Sequence, residues 1–327
     1  MSEGEAKDAT GLFEQLYSQV SPKLMEEYER LESGESQLVH YTSAENALQI
    51  LRSCTFWLRN VRCMNDFSEV QHGINLLVKA FGGPDNHRVD KLYCALDQVA
   101  PGAAKKAIDT FNAWISKLPD ITFIGCLSLA DKNETAGRLS MWRAYAGSGS
   151  GVALHLDSTP FDANTDALAA YSLPIAYLTD EEFIEGIDRC LVTLEKMVPE
   201  LDGTAPDKVE HCIFWWLLSM AVGLKHPGFH EEREWRIVYI PEMWKSESMI
   251  ESVECIRGLP QIVQKIPLEH NPEKGLFGAN PASLFQKVLI GPTEFPTVQF
   301  VAFSEVLKSM GVENPDERIS LSLIPLR

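Results

Sequence analysis

Glu234-Trp235-Arg236-Ile237-Val238-Tyr239-Ile240 is the stretch from which the fold can be worked outward. Its β-branched and aromatic residues read as a strand. Period two then puts Glu232, Glu234 and Arg236 on one face and Trp235, Ile237 and Tyr239 on the other. Such a strand packs its aromatic face on a core and needs neighbours. Ile121 to Leu129 (ITFIGCLSL) is nearly continuously apolar and reads as the best central-strand candidate in the first half. Leu38 to Thr42, Thr55 to Leu58, Val152 to Leu156, Lys287 to Gly291 and a closing Ile319 to Leu326 supply further strands.

Helices alternate with these strands. Thr42 and Glu45 have the spacing of a capping box before an apolar face of Ala47, Leu48 and Leu51. Asn65-Asp66 reads as a turn, and Asp66 with Glu69 repeats that spacing ahead of Val70, Ile74, Leu77, Val78 and Phe81. Residues 88–117 read as helix broken at Pro101-Gly102, followed by Arg138 to Ala146, Glu181 to Val198, Asp207 to Leu224 and Pro296 to Met310. The expected architecture is α+β: an N-terminal helical segment at 1–36, then a single α+β domain at 37–327 with helical insertions at about 79–118 and 179–224. The long helical region from about 158 to 224 could be a lid, an interface or packing.

With 45% hydrophobic and 23% charged residues the chain has an ordinary globular composition, which excludes disordered and fibrous classes. The net charge of −17 disfavours broad nucleic-acid binding, because any basic patch works against the field of the whole molecule. Lys225, Arg233, Arg138 and Arg143 are the local candidates for a basic channel, each more simply read as a surface charge. No run of about 18 apolar residues spans a membrane, and the acidic start MSEGEAKDATG is unlike a signal peptide. A cytoplasmic protein with no membrane partner is expected, and a homo-oligomer is compatible with the composition. Seven scattered cysteines without a C-x-x-C pair read as reduced thiols.

Three places could carry chemistry. His40 sits at a strand-to-helix junction, apt to hydrogen-bond a ribose hydroxyl, with Thr42 two residues on. Glu232, Glu234 and Arg236 on one face could stabilise a cationic sugar transition state, or could be a solvated ion-pair face. Asn65, Asp66 and Glu69 form a polar cluster that a turn and a cap already explain. The loop Gly147-Ser148-Gly149-Ser150-Gly151 lacks the ending of a P-loop. His226, His230 and Glu231 are interrupted by Pro227-Gly228, which removes the single helical face a zinc H-E-x-x-H needs. No metal is expected.

The ordered set HYTS, LRN followed by MNDFSE, CLS, MWRAYAGSGSGVAL, KHPGFHEEREWRI and LIGP, from about Leu38 to Pro292, resembles the DUF2971 family of bacterial proteins of unknown function. His40-Tyr41-Thr42 followed by Asn46 to Leu51 also resembles the opening of DarT-type ADP-ribosyltransferases. That likeness implies an ADP-ribosyltransferase-like split β-sheet core with three motif positions on three strands around an NAD cleft. His40, with Tyr41 and Thr42, would take the first position, Ser128 the second, and Glu234 the catalytic one. Glu232 and Glu234 also resemble the E-x-E pair of arginine-directed transferases; Glu232 could serve as base for the acceptor, and Arg236 could orient Glu234. A first-strand His goes with a second-motif Tyr in that family; either Tyr145 supplies it or the likeness is one of fold alone. The implied activity is an NAD-dependent ADP-ribosyltransferase or NAD glycohydrolase of a bacterial stress or phage-defence system. NAD would be the substrate, and the acceptor, protein or nucleic acid, is left open. The alternative is a non-catalytic module that binds a nucleotide or peptide in the same cleft.

Overall fold

The computed structural model describes residues 3–64, 69–83, 86–147, 150–162 and 166–325, and the side chains of these except at 3–10, 69 and 162. The turn at Asn65-Asp66, its capping role, and Ser148-Gly149 of the glycine-serine loop lie outside the described residues. The strands are β1 (Ser36–Ser43), β2 (Thr55–Asn60), β3 (Phe123–Asp131), β4 (Gly151–Leu156), β5 (Ala170–Pro174), β6 (Ala176–Tyr177), β7 (Leu224–Lys225), β8 (Glu234–Tyr239), β9 (Ile250–Ile256), β10 (Leu259–Pro267), β11 (Phe285–Ile290) and β12 (Ile319–Leu321). The fold is α+β, and the chain divides into two compact units.

The first unit, residues 1–27, 61–120 and 175–229, is helical apart from the short parallel pair β6–β7. Both segments expected as helical insertions fall within it. Helix Asp180–Met197 starts with a complete capping box between Thr179 and Glu182. Its Gly186 lies against the backbone of Val20, where a Cβ would come within 2.6 Å of the Val20 carbonyl oxygen. Only glycine lets those two segments approach so closely.

The second unit, residues 28–60, 121–174 and 230–327, holds the large sheet. Its order is β12-β11-β4-β1-β3-β2-β10-β9, with β8 paired to β3 and β5. One edge of β3 is shared: β1 takes Ser128 to Asp131, while β2 takes Phe123 and Ile124. Between them, β3 has no strand partner on that edge at residues 125–127. The other edge of β3 is fully taken by β8 over Phe123–Ser128. One sheet face buries Leu38, Leu127, Leu129, Leu154, Trp235 and Phe285 in the main core. The opposite face carries a smaller cluster of Val39, Tyr41, Ala130, Met141, Trp142, Ala153 and Leu289.

Three sequence expectations change. Thr42 remains in β1 and the N-cap of the following helix is Ser43, whose hydroxyl accepts from the Asn46 N–H at 3.2 Å, so Glu45 is one residue short of a capping-box partner. The closing strand is only Ile319–Leu321, parallel to β11. The region expected to be helical from 158 contains β5, which gives β8 its second neighbour.

Candidate functional site

β8 begins at Glu234, and the reason is the residue before it. Residues 227–232 form a 3-10 helix, and Arg233 has φ +41°, left-handed for a non-glycine residue. That break stops the alternation, so Glu232 ends the 3-10 helix and does not share the strand face of Glu234 and Arg236. The common face expected for all three is therefore corrected to two residues. Arg233 is held by its guanidinium, 2.8 Å from the Asp131 carboxylate, and its carbonyl accepts from the Leu129 N–H at 2.8 Å. Arg138, expected as a surface charge, is largely buried and donates to the carbonyls of Leu129 and Glu231. It thus anchors the approach to β8. Lys225 is likewise buried, its ammonium 4.8 Å from the Phe229 ring centre.

Glu234 and Arg236 are two apart on one strand, so their side chains leave the same face. Arg236 Nε donates to Glu234 Oε1 at 2.7 Å and Nη2 to Oε2 at 3.2 Å. Glu234 is 4% exposed and Arg236 0%. Both oxygens of the carboxylate are thus engaged by a planar fork, which fixes its orientation.

Direct cross-strand partners share a face. Glu234 lies opposite Ser128, Ser128 opposite Val39, Val39 opposite His155, and His155 opposite Lys287. One row thus crosses five strands. His40, next to Val39, projects from the other face. Its ring meets Phe56 edge-on at 4.9 Å and its Nδ1 lies 2.9 Å from the Cys126 carbonyl oxygen, in the opening where β1 and β2 part. A carbonyl only accepts, so Nδ1 carries the proton. Burial pushes the imidazole below its ordinary pKa, opposed by the Cys126 hydrogen bond. His40 is therefore neutral at pH 7, with Nε2 as an acceptor.

The remaining expected residues lie around the smaller cluster and the start of the helix after β1. Tyr41 is buried edge-on to Trp142 at 4.9 Å, and its hydroxyl accepts from the Arg138 N–H at 3.3 Å. Burial, with the Glu134 charge nearby, pushes that phenol up to about 12. Thr42 Oγ1 accepts from the Asn46 amide at 3.3 Å. Tyr145 ends helix Leu139–Tyr145 and packs at the margin of the smaller cluster. The structure thus brings Ser128, Glu234 and Arg236 together on one face, with His40 one strand away on the other. It adds His155, Lys287 and Ser320, which no motif flagged. Among the described residues, no group of three or more His, Cys, Asp or Glu could hold a metal.

Residues 141–237 match the family model of DUF2971, a protein family of unknown function. The resemblance read from the ordered motifs is borne out over that segment, from Met141 to the middle of β8. It includes Tyr145, Glu232, Glu234 and Arg236, and leaves His40 and Ser128 outside. No curated protein and no solved structure matches the chain.

Proposed function

We propose that the sheet is an ADP-ribosyltransferase-like split core and that the chain cleaves NAD. The supporting observation is the adjacency of β1, β3 and β8, which carry His40, Ser128 and Glu234 with Val39, Ser128 and Glu234 in direct register. In the reaction the bond between nicotinamide and ribose C1′ breaks, and nicotinamide leaves with the electron pair. A new bond forms from C1′ to an acceptor or water, whose proton passes to a base, Glu232 in this reading. The oxocarbenium-like transition state carries positive charge next to an oriented carboxylate, and Arg236 holds Glu234 without leaving it to reorganise. His40 Nε2 would accept from a ribose hydroxyl. The reading also carries the cytoplasmic, stress-related setting and the open choice of acceptor; among the described residues no helix is long and apolar enough to cross a membrane.

A second reading, the non-catalytic module, is favoured by burial. Glu234 and Arg236 already satisfy each other, and His40 leaves the opposite sheet face. Nicotinamide release from NAD by the purified protein decides between them. NAD cleavage predicts release that falls at least about 100-fold in Glu234→Gln and measurably in His40→Ala, both folded as wild type. Neither release nor NAD binding by folded wild type would remove the enzyme reading.

A further inference from the structure

The far end of the same row is built differently from the Glu234 end. His155 on β4 is 2% exposed, and neither ring nitrogen has a hydrogen-bond partner. A buried polar atom left unpaired costs about 1–3 kcal/mol, so such a group calls for an explanation. Opposite it stands Lys287 on β11, half-buried and with no ion-pair or hydrogen-bond partner among the described residues. A cation without a carboxylate is notable in a chain of net charge −17.

Lys287 faces His155 only because of a bulge. Phe285 pairs with Leu156 and Lys287 with His155, so β11 spends two residues where β4 spends one. Without that extra residue Lys287 would point to the main core; bulges re-aim side chains in this way. On the next strand Ser320 pairs with Leu289 and so shares this face, and its Oγ is also buried and unpartnered.

We propose that Lys287, His155 and Ser320 form a binding site for a phosphate group. The three can all donate: an ammonium, an imidazole N–H and a hydroxyl, on one face of three adjacent strands with no acidic side chain among their cross-strand partners, Ser320 standing one strand beyond Lys287 and two residues further along. A phosphate oxygen would accept from each and supply the missing counter-charge to Lys287. Val39, fully buried, separates this site from Glu234 along the row, three strand spacings or about 14 Å from His155. The site therefore stands whether or not the chain cleaves NAD. Its phosphate could be free or the terminal group of a nucleotide.

The test titrates the full chain with inorganic phosphate, and separately with ADP, following the His155 ring signals by NMR. His155→Gln assigns those signals. Saturable movement of His155 is expected, with affinity at least tenfold weaker in Lys287→Met and unchanged in Asp131→Asn. Tighter ADP than phosphate binding assigns the site to a nucleotide, and equal binding assigns it to free phosphate; both support it. No His155 movement with either ligand would overturn the proposal. So would equal affinity in a Lys287→Met protein with wild-type circular dichroism. Ser320→Ala, a smaller change, should weaken binding in the same direction.

Discussion

The Glu234–Arg236 pair and the Lys287–His155 pair lie on one face of one sheet, with Glu234, His155 and Lys287 in one register row, yet they solve burial in opposite ways. The first joins unlike charges two residues apart on a single strand and closes two hydrogen bonds. The second joins a cation and an imidazole across two strands and closes none with each other or with any neighbour among the described residues. Satisfied buried charge holds a structure in one arrangement, whereas unsatisfied donors leave a place for an acceptor.

The sharpest break of this comparison is at the satisfied end. Arg236→Met leaves the Glu234 carboxylate buried without its fork and should destabilise the protein by about 3–5 kcal/mol in urea denaturation. Replacing both, Glu234→Leu with Arg236→Met, should recover most of that loss. A double variant as unstable as the single one would mean that the pair contributes more than its mutual attraction.

At the unsatisfied end the expected effect depends on pH. Burial, helped by the Lys287 charge, pushes His155 down to about 4 from an ordinary 6.5. Between these values the unfolded chain takes up the proton and the folded one does not. Stability is thus full above about pH 6.5 and declines as pH falls towards 4. The gap corresponds to on the order of 3 kcal/mol. Denaturation at pH 7, 5.5 and 4 should show a steeper loss in wild type than in His155→Gln, and parallel curves would show that His155 does not titrate as its burial requires. The smallest effect is expected outside both pairs. Asp131 bridges Arg233 and Arg30 with a carboxylate that is 41% exposed. Water screens such a pair, so Asp131→Asn should cost less than about 1 kcal/mol. A larger loss would make Arg233, left-handed ahead of Glu234, the more important clamp on β8.

Much of the sheet is legible from the residues alone. The apolar run at 121–129 forms β3, a strand paired on both edges, and it is nearly continuously apolar because both faces of the sheet are covered there. The alternation at 234–239 holds in β8, which is why period two suffices to put Glu234 and Arg236 side by side. The hairpin β9–β10 carries no comparable signal. Its two-residue turn is Arg257-Gly258, both at positive φ, and arginine is not a residue whose chemistry announces such a turn. Glu232 departs from its expected face because strand alternation does not extend across Arg233, whose backbone reverses it.

Sequence by itself determined the α+β class, the DUF2971 resemblance, the main helices and the charge pair on β8, since each depends on periodicity or spacing within a few residues. Tertiary structure alone decided which residues stand in one row. Lys287, His155, Val39, Ser128 and Glu234 come from five strands far apart in the chain, and a single bulged residue at 286 determines which face Lys287 takes. Register and bulges are settled by packing between strands, and no local pattern carries them.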